Sequence, residues 1–295
     1  MSETDNTSET PKKEKGISGY GHGSVETVMS VDDVAEQAKK LSATAPKPNE
    51  LDALVKGEMF LTINGLRAGY GKMEILHDLD LRIGQGQSLC LIGPNGAGKS
   101  TILHSIYGFT NIYDGTIVVK DQDVTKLGPN DKLKHAGIAY ILQDNSVFPD
   151  MTVEENLLMG GFLKDRTDEA HEAASRVFDK YSRLKERRDE KAGVLSGGER
   201  RLLEISRALI MEPDILLVDE PSIGLEPRFI DQVFDILDDL QRVEGKTIIM
   251  VEQNAKKGLE FADIGYVLVS GQLAKAGEGD HLLEDPEVGR LFLGG

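Results

Sequence analysis

Residues 87–108 read QSLCLIGPNGAGKSTILHSIYG. The stretch has three parts: an apolar run (QSLCLI), a glycine-rich turn, and a run with helical spacing (STILHSIYG). GPNGAGKS at 93–100 fits the pattern G-x-x-x-x-G-K-[ST] without a mismatch. It lies between a strand signal and a helix signal, the setting in which the pattern carries a mechanism. Gly93, Gly96 and Gly98 let the turn take conformations closed to other residues, so that successive backbone N–H groups face one phosphate chain. The helix that follows adds its positive amino-terminal end. Lys99 supplies a point charge for the β- and γ-phosphates, and the Ser100 hydroxyl is a ligand for Mg²⁺. Pro94, Asn95, Ala97 and Thr101 complete the stretch expected to line the nucleotide.

The flanking sequence has the pattern of a parallel α/β sheet. GIAYIL, DILLVD, KTIIMV and IGYVLV are continuous apolar runs, as in strands buried on both faces, and helical stretches separate several of them. DILLVDEPS at 214–222 delivers two acids from a buried strand to a pocket edge. Asp219 is expected to hold Mg²⁺, and Glu220 to polarise an attacking water as general base. Earlier, LTING and DLDLRI alternate, with Leu79, Leu81 and Ile83 on one face of an antiparallel subdomain. Between Asp144 and Pro213 the strand signals stop and TVEENLLMGGFL, DEAHEAASRVFDKYSRLKERRDE and GGERRLLEISRALIME read as helices. A helical subdomain over about 144–212 is therefore expected inside the α/β core.

The chain has 295 residues and a formal net charge of −16, without a basic cluster interleaved with aromatics. Nucleic acid is excluded as a partner, because a phosphate backbone would be repelled. A local pocket can still hold phosphates, since salt screens charges beyond about 8 Å. The apolar runs are far shorter than a membrane span, and the amino terminus lacks the apolar core of a secretory signal. Cys90, the single cysteine, sits in LCLI and reads as a buried structural thiol. Residues 1–57 are rich in Ser, Thr, Glu and Lys and read as mostly disordered, with a possible short helix in SVDDVAEQAKKL capped by Ser30.

With these motifs placed, residues 58–295 resemble the ATP-binding subunits of ABC transporters. The carrier is the order of phosphate loop, glutamine, LSGGERR at 195–201, and VDE. The resemblance implies an α/β P-loop NTPase with a RecA-like core, an antiparallel β subdomain and an inserted helical subdomain. It also implies ATP and Mg²⁺ as cofactors and a head-to-tail dimer. Ser196, Gly197, Gly198 and Glu199 are then the turn that covers a partner's γ-phosphate. Gln143 resembles the glutamine that reaches Mg²⁺ and senses the permease, and Tyr70 the aromatic that stacks on adenine. Many members have a switch histidine after the strand following VDE. Here Glu252 and Gln253 follow instead, and the Gln253 amide can donate to the γ-phosphate without carrying a proton charge.

AGYGKMEILHDLDL, VFPDMTVEENL, VEQN and LFLGG resemble the second ATPase of branched-chain (hydrophobic) amino-acid importers, whose urea and amide relatives are similar. GERRLLEISRAL also resembles the ATPase of lipopolysaccharide export. The first resemblance implies a homologous ATPase partner (hetero- or homodimer), transmembrane permeases and, indirectly, a periplasmic solute-binding protein. The chain is then peripheral, on the cytoplasmic face of the inner membrane. Val147, Phe148 and Pro149 are candidates for the permease groove, with core packing as the equal alternative.

Overall fold

The computed structural model describes residues 45–143 and 146–293. The short helix read around Ser30 lies outside the described residues. Two sheets organise the chain. Strands β1 (Met59–Tyr70), β2 (Met73–Gly84), β4 (Asn111–Val119) and β5 (Gln122–Asp123) form an antiparallel sheet of order β2-β1-β4-β5. The second sheet also draws on β3 (Ser88–Ile92), β6 (Ile138–Ile141), β7 (Ile215–Asp219), β8 (Thr247–Val251), β9 (Ile264–Val269) and β10 (Gln272–Glu278). Its order is β10-β9-β3-β8-β7-β6, parallel except for the antiparallel edge strand β10.

Every residue of β3, β7, β8 and β9 is buried. Alternation persists inside these runs. Leu89, Leu91, Leu217 and Ile249 enter the core shared with the antiparallel sheet. Cys90, Ile92, Leu216 and Met250 pack on the other face. Burial on both sides is why the strands read as unbroken apolar runs. Cys90 is buried, and burial raises its thiol pKa. Because the strands are parallel, the loops after Ile92, Ile141, Asp219 and Val251 all leave one edge of the sheet, the edge where such folds bind ligands.

Helix α1 (Pro48–Asp52) precedes the first strand, and α2 (Lys99–Tyr107) follows β3. Helix α3 (Pro129–His135) lies before β6. Between β6 and β7 come α4 (Val153–Gly160), α5 (Thr167–Lys180), α6 (Ser182–Glu186) and α7 (Gly197–Leu209). These four build a separate apolar cluster around Val153, Leu157, Val177, Phe178, Leu184 and Leu203. Helix α8 (Pro227–Arg242), then α9 (Ala255–Phe261), α10 (Gly279–Glu284) and α11 (Pro286–Phe292) complete the order. Among the described residues, no helix is long and apolar enough to cross a membrane.

Patterning put the start of folded chain at Glu58, but packing begins about ten residues earlier. Leu51 of α1 is fully buried in the core. Asp52 pairs with Arg82 at 3.0 Å, and the Lys56 N–H donates to Gln87 Oε1 at 2.9 Å. Leu51, Leu54 and Val55 do recur at i, i+3 and i+4, and Leu54 packs on the same core, but a single turn of such spacing behind a polar segment is too short to stand out.

Candidate functional site

After β3 the backbone takes positive φ at Gly93 (145°), Gly96 (79°) and Gly98 (98°), and α2 begins at Lys99. Space as well as torsion demands glycine at two of these. A Cβ on Gly93 would lie 2.2 Å from the Leu268 carbonyl oxygen, and one on Gly98 2.9 Å from Leu76 Cδ2. A Cβ on Gly96 would meet nothing within 4 Å, so on that side the loop presents bare backbone. Lys99 folds back, its Nζ donating to the carbonyls of Gly93 (2.8 Å) and Pro94 (3.1 Å). Burial lowers the pKa of this amine, while Glu220 and Asp219 oppose the shift.

The second limb arrives on β7. Its last residue, Asp219, pairs in register with Val251 of β8. Asp219 is buried and held at both oxygens: Ser100 Oγ donates to Oδ1 at 3.1 Å and the Tyr140 hydroxyl to Oδ2 at 2.8 Å. Glu220 leaves the strand with φ 43°, its N–H donating to the Val251 carbonyl at 2.8 Å. Gln143 Nε2 donates to Glu220 Oε2 at 2.9 Å. A cleft of about 260 Å³ is lined by Tyr70, Ile75, residues 95–101 and Glu220. Tyr70 is half-exposed and its hydroxyl is hydrogen-bonded to His104 Nδ1. Burial lowers the His104 pKa, which favours the neutral ring.

Thus Lys99, Ser100, Thr101, Asn95, Gly96, Ala97, Gly98, Tyr70 and Glu220 meet at one cleft, and Asp219 and Gln143 are tied to it by hydrogen bonds. Gly93 and Pro94 sit behind it, under the Lys99 amine. Gln253 is exposed beyond β8 and is not among the lining residues. Its neighbour Glu252 is buried instead, accepting from Ser222 Oγ (2.7 Å), the Ser222 N–H (3.3 Å) and the Asn254 N–H (2.8 Å). Among the described residues, no group of three or more His, Cys, Asp or Glu side chains could hold a metal. Beside Glu220, the site offers a cation the Asp219 carboxylate, the Ser100 hydroxyl and the Gln143 amide. That oxygen set suits a hard cation that completes its shell with phosphate oxygens.

The turn at 195–201 lies elsewhere. Ser196 caps α7 in a capping box: its Oγ accepts from the Glu199 N–H at 3.3 Å, and Glu199 Oε2 accepts from the Ser196 N–H at 2.9 Å. Ser196, Gly198 and Glu199 line a cleft of about 540 Å³ that shares no lining residue with the first. Val147 packs into the helical cluster, whereas Phe148 is exposed with the Arg207 guanidinium 5.5 Å from its ring. Tyr140, Glu252 and His104 escaped the sequence reading. Each owes its role to a partner far along the chain, and no spacing rule reports such a pairing.

The chain matches the family of ABC transporter domains over residues 76–223. It is 41% identical over 235 residues to the high-affinity branched-chain amino acid transport ATP-binding protein BraG of Pseudomonas aeruginosa, covering 80% of this chain and 100% of that one. It is 31% identical over 238 residues to the lipopolysaccharide export system ATP-binding protein LptB of Haemophilus influenzae, covering 79% and 97%. A nucleotide-free ATP-binding cassette from an ABC transporter superposes with a TM-score of 0.71 at 28% identity, covering 81% of this chain and 100% of that structure. A glycine-built phosphate loop beside Asp219 and Glu220, with relatives that match over most of the chain, places this protein in the ABC transporter family, as an ATP-binding subunit that hydrolyses ATP.

Proposed function

We propose that this chain drives import of branched-chain or hydrophobic amino acids, bound to permease subunits on the cytoplasmic face of the membrane and paired with a homologous ATPase. The observation that carries the dimer is the separation of the two nucleotide-facing surfaces. The phosphate loop with Glu220 lines one cleft and the Ser196 turn lines another, so a lone chain brings only half of each site. Two chains arranged head-to-tail supply both halves twice. The importer assignment rests on the similarity to BraG.

In this reading the backbone of residues 95–101 and Lys99 hold the β- and γ-phosphates, and Tyr70 stacks on the adenine. Ser100, Asp219 and Gln143 would hold Mg²⁺, which when bound neutralises charge on the phosphates. Glu220 takes a proton from a water as that water attacks the γ-phosphorus and the bond to the bridging oxygen breaks. The hydrogen bond from Gln143 orients that carboxylate. Gln253 donates its amide where a switch histidine would sit, which asks its exposed side chain to turn in upon closure. Ser196, Gly197 and Gly198 of the partner cover the γ-phosphate, and closure follows because ATP contacts both surfaces only when they meet. The helical insertion and the Gln143 segment grip the permease.

Glu220→Gln tests the chemistry. Nucleotide binding persists, turnover falls at least about hundredfold as expected for a lost general base, and an ATP-bound dimer accumulates on gel filtration. Turnover at the wild-type rate would remove Glu220 from this role. Co-purification of the chain with permease subunits and a solute-binding protein for amino acids tests the importer assignment.

A further inference from the structure

The signature turn carries a contradiction. A helix start that is to receive a partner's γ-phosphate has, three residues in, the carboxylate of Glu199, whose side chain is 9% exposed. Gly197 and Gly198 occupy the first two positions of α7, where the N–H groups have no intrahelical acceptor and suit an anion. A carboxylate one residue on competes for the same positive end and repels the phosphate.

The surroundings answer this. Glu199 is split between two tasks: Oε2 accepts from the Ser196 N–H and shapes the cap, while Oε1 accepts from Arg183 Nε at 2.9 Å and forms an ion pair with Arg187 Nε at 3.1 Å. Both arginines come from α6 and the residue after it. Arg187 also holds Glu190 at 2.8 Å. The charged residues lining this cleft are Arg183, Arg187, Arg228 and Glu199, three cations and one anion on a chain of net charge −16. Arg228 pairs with Glu226 at 3.1 Å and lies over the Phe229 ring. The carboxylate is thus kept for its hydrogen bond to the cap while its charge is cancelled from the side away from that bond.

We propose that Arg183 and Arg187 are positioning residues of the signature turn: by neutralising Glu199 they make a helix start that carries its own anion able to accept the partner's phosphate. This rests on the reading that the Ser196 turn covers a nucleotide held by a second subunit. Neither arginine needs to touch ATP.

The test uses the full-length chain with the subunit it pairs with, in a Glu220→Gln background so that the closed form persists. ATP is titrated and closure is read as dimer mass by light scattering. Arg183→Ala with Arg187→Ala raises the ATP concentration for half-closure about tenfold, because Glu199 then faces the phosphate as an uncompensated like charge. Adding Glu199→Gln, which keeps the oxygen that accepts from the cap, brings the value back to within about twofold of the parent. A destabilised α6 would give the same loss but no such rescue. In high salt the gap between parent and arginine-less protein narrows, since the Arg183 side chain is 65% exposed. Parent-like closure without the arginines, or a loss that Glu199→Gln leaves uncorrected, overturns the proposal. Ser196→Phe separates the two levels. Normal closure with that blocked turn defeats the dimer reading itself, whereas blocked closure beside silent arginine variants defeats only the role given to Arg183 and Arg187.

Discussion

In the proposed function the chain holds two anion cradles, and they are built on opposite plans. The phosphate loop relies on torsion: three glycines at positive φ expose backbone, and a buried lysine lies behind them. The signature turn relies on side chains: Ser196 and Glu199 close a capping box, and two arginines cancel the charge that the box introduces. The first has its cation and its carboxylate pair within one chain and, in the proposed mechanism, binds nucleotide before the partner closes. The second has no Asp219 or Glu220 beside it and offers only the open end of a helix. A cradle that must bind first is preorganised by the backbone. A cradle that must wait for a partner is set by charge, which is the easier term to tune.

The sharpest way to break this contrast is Lys99→Ala. The amine is the only lysine of the loop, and charge-assisted contacts to phosphate are worth about 1.5–3 kcal/mol each. Nucleotide affinity of the open chain is expected to fall by at least about a hundredfold in a fluorescent-ATP titration. Affinity within threefold of wild type, a change of about 0.7 kcal/mol, would mean that the loop holds phosphate by backbone alone.

A second lysine tests how far the phosphate helix is tuned. Lys132 of α3 is fully buried, and its Nζ donates to the Ser105 carbonyl in the last turn of α2 at 3.2 Å. A cation there suits the helix dipole, yet burial wins and pushes the pKa from 10.5 down to about 8, with Asp123 opposing. Between these values the unfolded chain holds more proton than the folded one, so stability rises with pH across that window. Lys132→Met should therefore be more stable than wild type at pH 7 by about 2–3 kcal/mol in urea melts. The difference should close as pH rises from about 8 to about 10.5. A gap that stays constant with pH would show that the buried amine carries no such penalty.

Both cradles were legible in sequence because each is local: GPNGAGKS and LSGGERR place every defining residue within a few positions. Asp219 and Glu220 were legible for the same reason, ending a run of apolar residues. What joins these pieces was hidden. Tyr140 reaches Asp219 across 79 residues, and Gln143 meets Glu220 across 77. Arg183 finds Glu199 only because α6 folds back on α7. The burial of Glu252 was equally silent, since an acid and two amides after a strand look alike until one of them turns inward. Leu51 shows the same blindness at the edge of the fold: with Leu54 and Val55 it makes one turn of helical spacing, too short to separate from the polar segment before it.

The same small change, a methyl group, sharpens the contrast most finely when it is placed in each cradle. At Gly96 the new Cβ meets nothing, but φ of 79° is costly for alanine, so Gly96→Ala strains the loop and first binding weakens. At Gly198 the backbone is helical and accepts alanine, but the Cβ would lie 2.4 Å from Phe229 Cδ1 and 2.9 Å from Cγ. Those atoms are near the root of the ring, so Phe229 has to turn aside, and Arg228 over its face turns with it. Such overpacking costs about 1–3 kcal/mol, partly relieved here because the ring is half-exposed. Gly198→Ala should thus raise the ATP concentration needed for closure by about tenfold or less, while the titration of the open chain follows wild type. If Gly198→Ala weakened first binding and Gly96→Ala weakened only closure, the division of labour between the two cradles would be reversed.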